Sequence, residues 1–173
     1  GREESFAGEE RQMIPSPKDV STYDQKPEMS AAAVGDAVTK AIESGRFDFV
    51  LVNFANPDMV GHTGMLNPAI TAVEAVDHAL GQIVDAARKR GGAVFITADH
   101  GNCELMKDPV TGMPHTAHTT NPVPLLYIND ADNKRPLRTG GRICDVAPTM
   151  LDLLGIPKPG VMDGVSLFGV NQR

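Results

Sequence analysis

The chain has 173 residues, 41% hydrophobic and 22% charged, with 16 Lys and Arg against 22 Asp and Glu for a formal net charge of −6. A chain of this size hides about 70% of its unfolded surface and builds a core without staples, and its composition excludes wholesale disorder. The acidic balance argues against nucleic acid and anionic membranes as partners, and aromatics at 5% with no Trp leave no platform for stacking bases. Two cysteines, Cys103 and Cys144, make no disulfide framework and suit a reducing cytosol. No apolar run approaches the ~18 residues of a membrane span, and the opening GREESFAGEERQ has no apolar core of a signal peptide. The expected location is therefore cytoplasmic. Met13 is the first methionine, as expected of a cut or processed chain or of one begun by a cloning residue.

Residues 1–27 show neither helical nor strand period and form an irregular lead-in. Ser30 then stands where an N-cap belongs, and a stripe of Ala33, Val34, Ala37, Val38, Ala41 and Ile42 predicts a helix over 31–44, stopped by Gly45. FDFVLVNF at 47–54 predicts a strand buried on both faces. After the loop 55–67, Pro68 opens a long predicted helix to about Arg90, with Val73, Val76, Leu80, Ile83, Val84 and Ala87 as its core stripe. AVFITA at 93–98 is a second predicted strand, and a long polar loop at 99–122 leads to a third at 123–129. A turn-rich stretch precedes a short predicted helix at 145–154. Alternating helices and buried strands predict an α/β domain with a largely parallel sheet, in which ligands bind beyond the carboxyl ends of strands.

The loops at 55–67 and 99–122 both leave strand ends and hold four of the five histidines. Asp58 and His62 lie in NPDMVGHTG, Asp99 and His100 in TADHGN, and His115 and His118 in PHTAHTTNP. Carboxylate oxygen and imidazole nitrogen suit Zn²⁺, Mn²⁺ or Fe. An Asp and a His four apart converge on one ion if the loop curls like a helical turn. Singly, each residue has an ordinary reading: Asp58 in a turn, Asp99 as a cap, His100 in a core, His115 and His118 in a loop. Together, two Asp-His pairs and a later His on strand-end loops point to a metal centre. His78 reads as a solvated helix residue, and Cys103, lacking a CxxC partner, as a small buried one. No GxSxG, P-loop or GxGxxG occurs, and none of the six serines sits in a nucleophile elbow.

NPDMVGHTG, ITADHGN and PHTAHTTNPVP, in this order and spacing, resemble the C-terminal part of cofactor-independent (2,3-bisphosphoglycerate-independent) phosphoglycerate mutase, within the alkaline phosphatase superfamily. The likeness extends through IPSPKDVSTYDQKPEMSA (14–31) and DVAPTMLDLLGIPKP (145–159), nearly the whole chain. It implies a three-layer α/β/α sandwich with a mostly parallel sheet, incomplete here because the N-terminal strands are absent. Residues 1–173 would be the C-terminal portion of its metal-binding phosphatase domain.

The resemblance further implies two Mn²⁺ ions, with Zn²⁺ or another divalent metal as alternatives and no 2,3-bisphosphoglycerate. Asp58, His62 and His118 match the ligands of one ion, Asp99 and His100 match two of the other, and His115 stands behind them. The implied reaction interconverts 3-phosphoglycerate and 2-phosphoglycerate in glycolysis and gluconeogenesis through a phosphoserine.

The chain departs from the family in length. The nucleophilic Ser, an Asp ligand beside it, a Lys near the metals and the substrate-holding domain all belong to segments outside these residues. No catalytic nucleophile is therefore assigned here. The 173 residues alone are expected to be inactive, to need the N-terminal part as a partner, and to expose an apolar sheet edge. The alternatives are another phosphatase or phosphomutase of the same superfamily and a non-catalytic metal-binding domain.

Overall fold

Small residues let two helices approach closely in the first part of the chain. The structure, a computed structural model describing residues 4–132 and 135–169, divides into two compact units, one ending at Ile128 and the other beginning at Asn129. In the first, α1 runs Ala31–Ser44 and ends on Gly45 in the left-handed region at φ 64°. The predicted bounds hold. Ser30 makes no side-chain cap and instead donates its hydroxyl to the Pro15 carbonyl at 2.8 Å, tying the lead-in to the helix start.

A long helix, α3, spans Leu66–Lys89 and packs on α1. It begins two residues before Pro68, which is compatible with the first helical turn because its missing N–H is not needed there. Its buried face is Ala69, Ala72, Ala79, Ile83, Ala86 and Ala87, a face of mainly small side chains. A Cβ on Gly35 of α1 would stand 2.9 Å from the Ala79 Cβ, so glycine sets how near the backbones come. Of the expected stripe, Ile83 and Ala87 are buried, whereas Val76, Leu80 and Val84 are only partly so and Val73 is 45% exposed. Val60, Ala69, Ala72, Met29 and Met106 form the described core cluster, with Tyr23 and Cys103 packed against it.

The predicted strands at 93–98 and 123–129 appear as β1, Val94–Thr97, and β2, Leu125–Ile128. They pair antiparallel, Val94 opposite Ile128 and Thr97 opposite Leu125, with the Phe95 and Tyr127 rings stacked at 5.0 Å. This ladder differs from the expected parallel sheet. No helix separates the two strands, and a parallel return needs a crossover connection, so the chain comes back the other way. Segment 47–54, expected as a doubly buried strand, joins no ladder among the described residues. Phe49 and Leu51 in it are 54% and 80% exposed, an apolar row without a cover.

The second unit is built around one carboxylate. A 3₁₀ turn, Ile143–Asp145, runs into α4, Val146–Leu153, which falls inside the predicted 145–154. Asp145 is 1% exposed. Its carboxylate accepts from the Val165 N–H at 2.9 Å, the Arg142 N–H at 2.9 Å and the Arg138 guanidinium at 2.8 Å. Those donors, the Val165 and Arg142 amides foremost, outweigh burial and hold its pKa down to about 2. Thr149, fully buried, donates to the Asp145 carbonyl and accepts from the Leu167 N–H at 2.8 Å. The Arg135 guanidinium lies 3.7 Å from the Phe168 ring centroid. No helix among the described residues is long and apolar enough to cross a membrane.

Candidate metal centre

The stretch NPDMVG coils into a short helix, α2, Asn56–Gly61, with Pro57 at its start and Asp58 in its first turn. Proline is pre-set for that position and a carboxylate is favoured at the positive helix end. Asn56, 3% exposed, anchors this start by donating its amide to the carbonyls of Pro27 at 3.0 Å and Glu28 at 2.7 Å. One turn on, the His62 N–H donates to the Asp58 carbonyl at 3.1 Å. The Asp58 and His62 side chains thus share one face, as i and i+4. The curl that the spacing required is present.

The loop 99–122 folds back on itself. Antiparallel bridges join Gly101 to Thr119 and Lys107 to Pro114. The His115 N–H donates to the Met106 carbonyl at 3.0 Å and the Thr119 N–H to the Gly101 carbonyl at 2.9 Å. The Glu104 carboxylate accepts from the Thr119 hydroxyl and, at 2.9 Å, from the Asn121 amide. This closure brings residues 100 and 118 side by side, and the His100 and His118 rings stack with centroids 3.8 Å apart.

Three atoms then converge. The His118 Nε2 lies 2.9 Å from Asp58 Oδ1, the His62 Nε2 lies 3.2 Å from the same oxygen, and the two nitrogens are 3.1 Å apart. Two ligands on a tetrahedral ion about 2.1 Å away stand roughly 3.4 Å apart, so the triangle is near the size one ion needs. The protonation pattern agrees. His62 Nδ1 faces the Thr116 carbonyl at 2.6 Å, and a carbonyl only accepts, so Nδ1 carries the proton. Nε2 is the nitrogen turned towards the cluster, and in this tautomer of the neutral ring it carries the lone pair a metal needs.

Burial works to raise the pKa of the Asp58 carboxyl. The Asn102 amide, then His62, His118 and His100, outweigh it and hold the group below its ordinary value. A carboxylate grouped with imidazoles is the donor set expected of a divalent cation site.

His100 enters the same cluster: Asp58, His100 and His118 each offer a ligand atom within 4.8 Å of one another. Asp99 stands at the margin, its side chain 76% exposed and its Oδ1 3.7 Å from His100 Nε2, beyond hydrogen-bond reach. His115 lies outside the convergent set, with Nδ1 buried and unpartnered. His78 is exposed on α3, as expected. Cys103 is half-buried rather than fully so. Its thiol donates to the Pro57 carbonyl at 2.7 Å, and burial pushes its pKa up.

Two contributors escaped the sequence reading. Thr116 acts through its carbonyl, which no residue type announces. Asn102, in the quoted TADHGN, is 5% exposed and donates its amide to Asp58 Oδ1 at 2.8 Å. The only signal for it was an amide side chain two residues after a candidate ligand.

With this geometry in hand, comparison with known proteins is informative. The profile of the Metalloenzyme superfamily matches residues 1–158. A 2,3-bisphosphoglycerate-independent phosphoglycerate mutase of Rhodopseudomonas palustris is 59% identical over 169 residues, covering 98% of this chain and 32% of that protein. One of Pseudomonas putida is 58% identical over 168 residues, covering 97% of this chain and 32% of that protein. Among solved structures, a Leishmania mexicana phosphoglycerate mutase crystallised at low cobalt concentration superposes with a TM-score of 0.80 at 36% identity. That match covers 90% of this chain and 31% of the other. The chain spans about a third of the length of the relatives it matches. A profile match over most of the chain, seated on a convergent cluster of carboxylate and imidazole, makes the chain a member of the Metalloenzyme superfamily.

Proposed function

We propose that these residues are the metal-holding portion of a cofactor-independent phosphoglycerate mutase, an isomerase that interconverts 3-phosphoglycerate and 2-phosphoglycerate in the cytoplasm. The observation that carries this reading is the triangle of Asp58 Oδ1, His62 Nε2 and His118 Nε2, with His62 Nδ1–H donated to the Thr116 carbonyl. Similarity to mutases along nearly the whole chain supports the same reaction. Asp58, His62 and His118 would hold one divalent ion, Mn²⁺ first and Zn²⁺ second, and His100 with Asp99 would hold part of another. What such ions supply when bound is neutralisation of phosphoryl charge and activation of a hydroxyl nucleophile.

The chain's own residues prepare the site. Asp58 carries the negative charge, kept ionised by the Asn102 amide and the surrounding imidazoles. Thr116 fixes the His62 tautomer and ring orientation. The side chains of Asp58, His62 and His118 are 34%, 40% and 49% exposed, which leaves one side of the cluster open to a phosphorylated substrate.

The nucleophile would come from elsewhere. Within the first unit, Ser30 and Ser44 donate to the Pro15 and Ala41 carbonyls and Ser21 accepts from Gln25, so each of these hydroxyls is engaged outside the Asp58, His62 and His118 set. The rest of the longer protein would also complete a three-layer, mostly parallel sheet over the apolar row at Phe49 and Leu51.

The test is complementation. The chain joined to the N-terminal two thirds of the Rhodopseudomonas palustris relative is expected to convert 3-phosphoglycerate to 2-phosphoglycerate with Mn²⁺, and the 173 residues alone are expected to do nothing. A joined protein that hydrolyses phosphate esters without forming 2-phosphoglycerate would replace the mutase reading by a phosphatase one.

A further inference from the structure

We propose that Asn102 is a positioning residue for Asp58, clamping its carboxylate in the orientation that a bound cation requires. The inference rests on the reading of Asp58 as a ligand. Four observations carry it. The Asn102 amide donates twice to one residue, to Asp58 Oδ1 at 2.8 Å and to the Asp58 backbone carbonyl at 3.3 Å. Gripping main chain and side chain together fixes the carboxylate relative to its own backbone. The side chain is held where it cannot wander, since Asn102 is 5% exposed.

Its carbonyl end is the third observation. Asn102 Oδ1 is buried and accepts no hydrogen bond. A buried acceptor left empty is uncommon and asks for a reason. Turning the amide over would put that oxygen against the Asp58 carboxylate, so the orientation that leaves it orphaned is the one that serves Asp58.

The fourth is the room made for it. A Cβ on Gly61, in α2, would overlap the Asn102 side-chain oxygen and stand 3.0 Å from Cys103 Sγ. Gly61 therefore lets residues 102 and 103 reach the start of α2, where Cys103 holds Pro57 as Asn102 holds Asp58. The same loop carries His100, so the clamp also ties the carboxylate to a second member of the cluster. Groups that orient a metal ligand commonly set affinity as strongly as this geometry suggests.

The test uses the 173-residue chain and Mn²⁺ in isothermal titration, with Co²⁺ absorption as a second readout of ligand geometry. Asn102→Ala is expected to weaken Mn²⁺ binding by about 10- to 100-fold and to change the Co²⁺ spectrum, while thermal unfolding without metal stays close to that of the unaltered chain. Gly61→Ala displaces Asn102 without removing it and is expected to weaken binding in the same way. The double variant is expected to lose no more than Asn102→Ala alone, because both act through one contact.

Unchanged affinity and spectrum in a folded Asn102→Ala overturn the proposal. If that variant does not fold, unchanged binding in Gly61→Ala overturns it instead. Asp58→Ala separates the two levels. Mn²⁺ binding that survives Asp58→Ala, or is missing from the unaltered chain, sinks the metal reading itself. Binding lost in Asp58→Ala but kept in Asn102→Ala sinks the clamp alone.

Discussion

Asp58 and Asp145 are the same residue put to opposite uses. Asp145 is buried and saturated: two backbone amides and a guanidinium fill its oxygens. Asp58 is partly open, and one of its oxygens takes the Asn102 amide while facing two imidazole nitrogens. A carboxylate with all its partners built in fixes the chain around it. One with partners on one side only has bonding capacity left for something the chain does not contain. The surroundings decide which is which, since both side chains are held below their ordinary pKa.

The widest separation should come from exchanging losses. Asp58→Ala is expected to lower Mn²⁺ affinity by more than about 100-fold, beyond the loss from a merely orienting partner, with little change in thermal unfolding of the metal-free chain. Asp145→Asn should do the reverse: titration with Mn²⁺ unchanged, the unfolding midpoint lowered by several degrees, and amide exchange faster across 142–167. A variant that moved both readouts equally would erase the contrast.

A smaller effect is expected one step from Asp145. Thr149→Val keeps the shape but leaves the Leu167 N–H without its acceptor, and urea unfolding should show a loss of about 1–3 kcal/mol.

Acid sharpens the same point. The folded-state pKa of Asp145, about 2, lies below that of an unfolded aspartate, about 3.9. Its stabilising contribution is therefore complete above about pH 4 and lost as the pH falls towards about 2. Unfolding midpoints measured between pH 5 and pH 2 should fall less steeply in Asp145→Asn than in the unaltered chain. The smallest change sets the baseline. Arg46, 64% exposed and paired with Glu10, should alter stability by no more than about 0.5 kcal/mol when replaced by Ala.

Much of the site could be read from residue types and spacing. Asp58, His62, His100 and His118 announced themselves because carboxylate and imidazole are the usual ligands and because i and i+4 share a helical face. Their supports did not. Thr116 serves through a backbone carbonyl, and Asn102 through an amide that reads locally as a turn residue. The hairpin inside 99–122 is held by bridges between distant positions, which periodicity does not report.

Helices α1, α3 and α4 were legible because helical bonds are local and their start and stop residues lie in the adjoining sequence. Strands are completed by partners elsewhere, so 47–54 has strand composition and no ladder among the described residues, and β2 runs antiparallel to β1 in a sheet expected to be largely parallel. The face of α3 that is buried was also a tertiary matter: closeness to Gly35 selected the alanines over Val73. What the amino-acid sequence by itself determined, then, is helices α1, α3 and α4 and the chemical identity of the cluster, both functions of short-range spacing. Tertiary structure alone decided the direction of the strand pairing, which carboxylate is saturated and which stays open, and which amide holds it. Each of those depends on contacts between residues many positions apart.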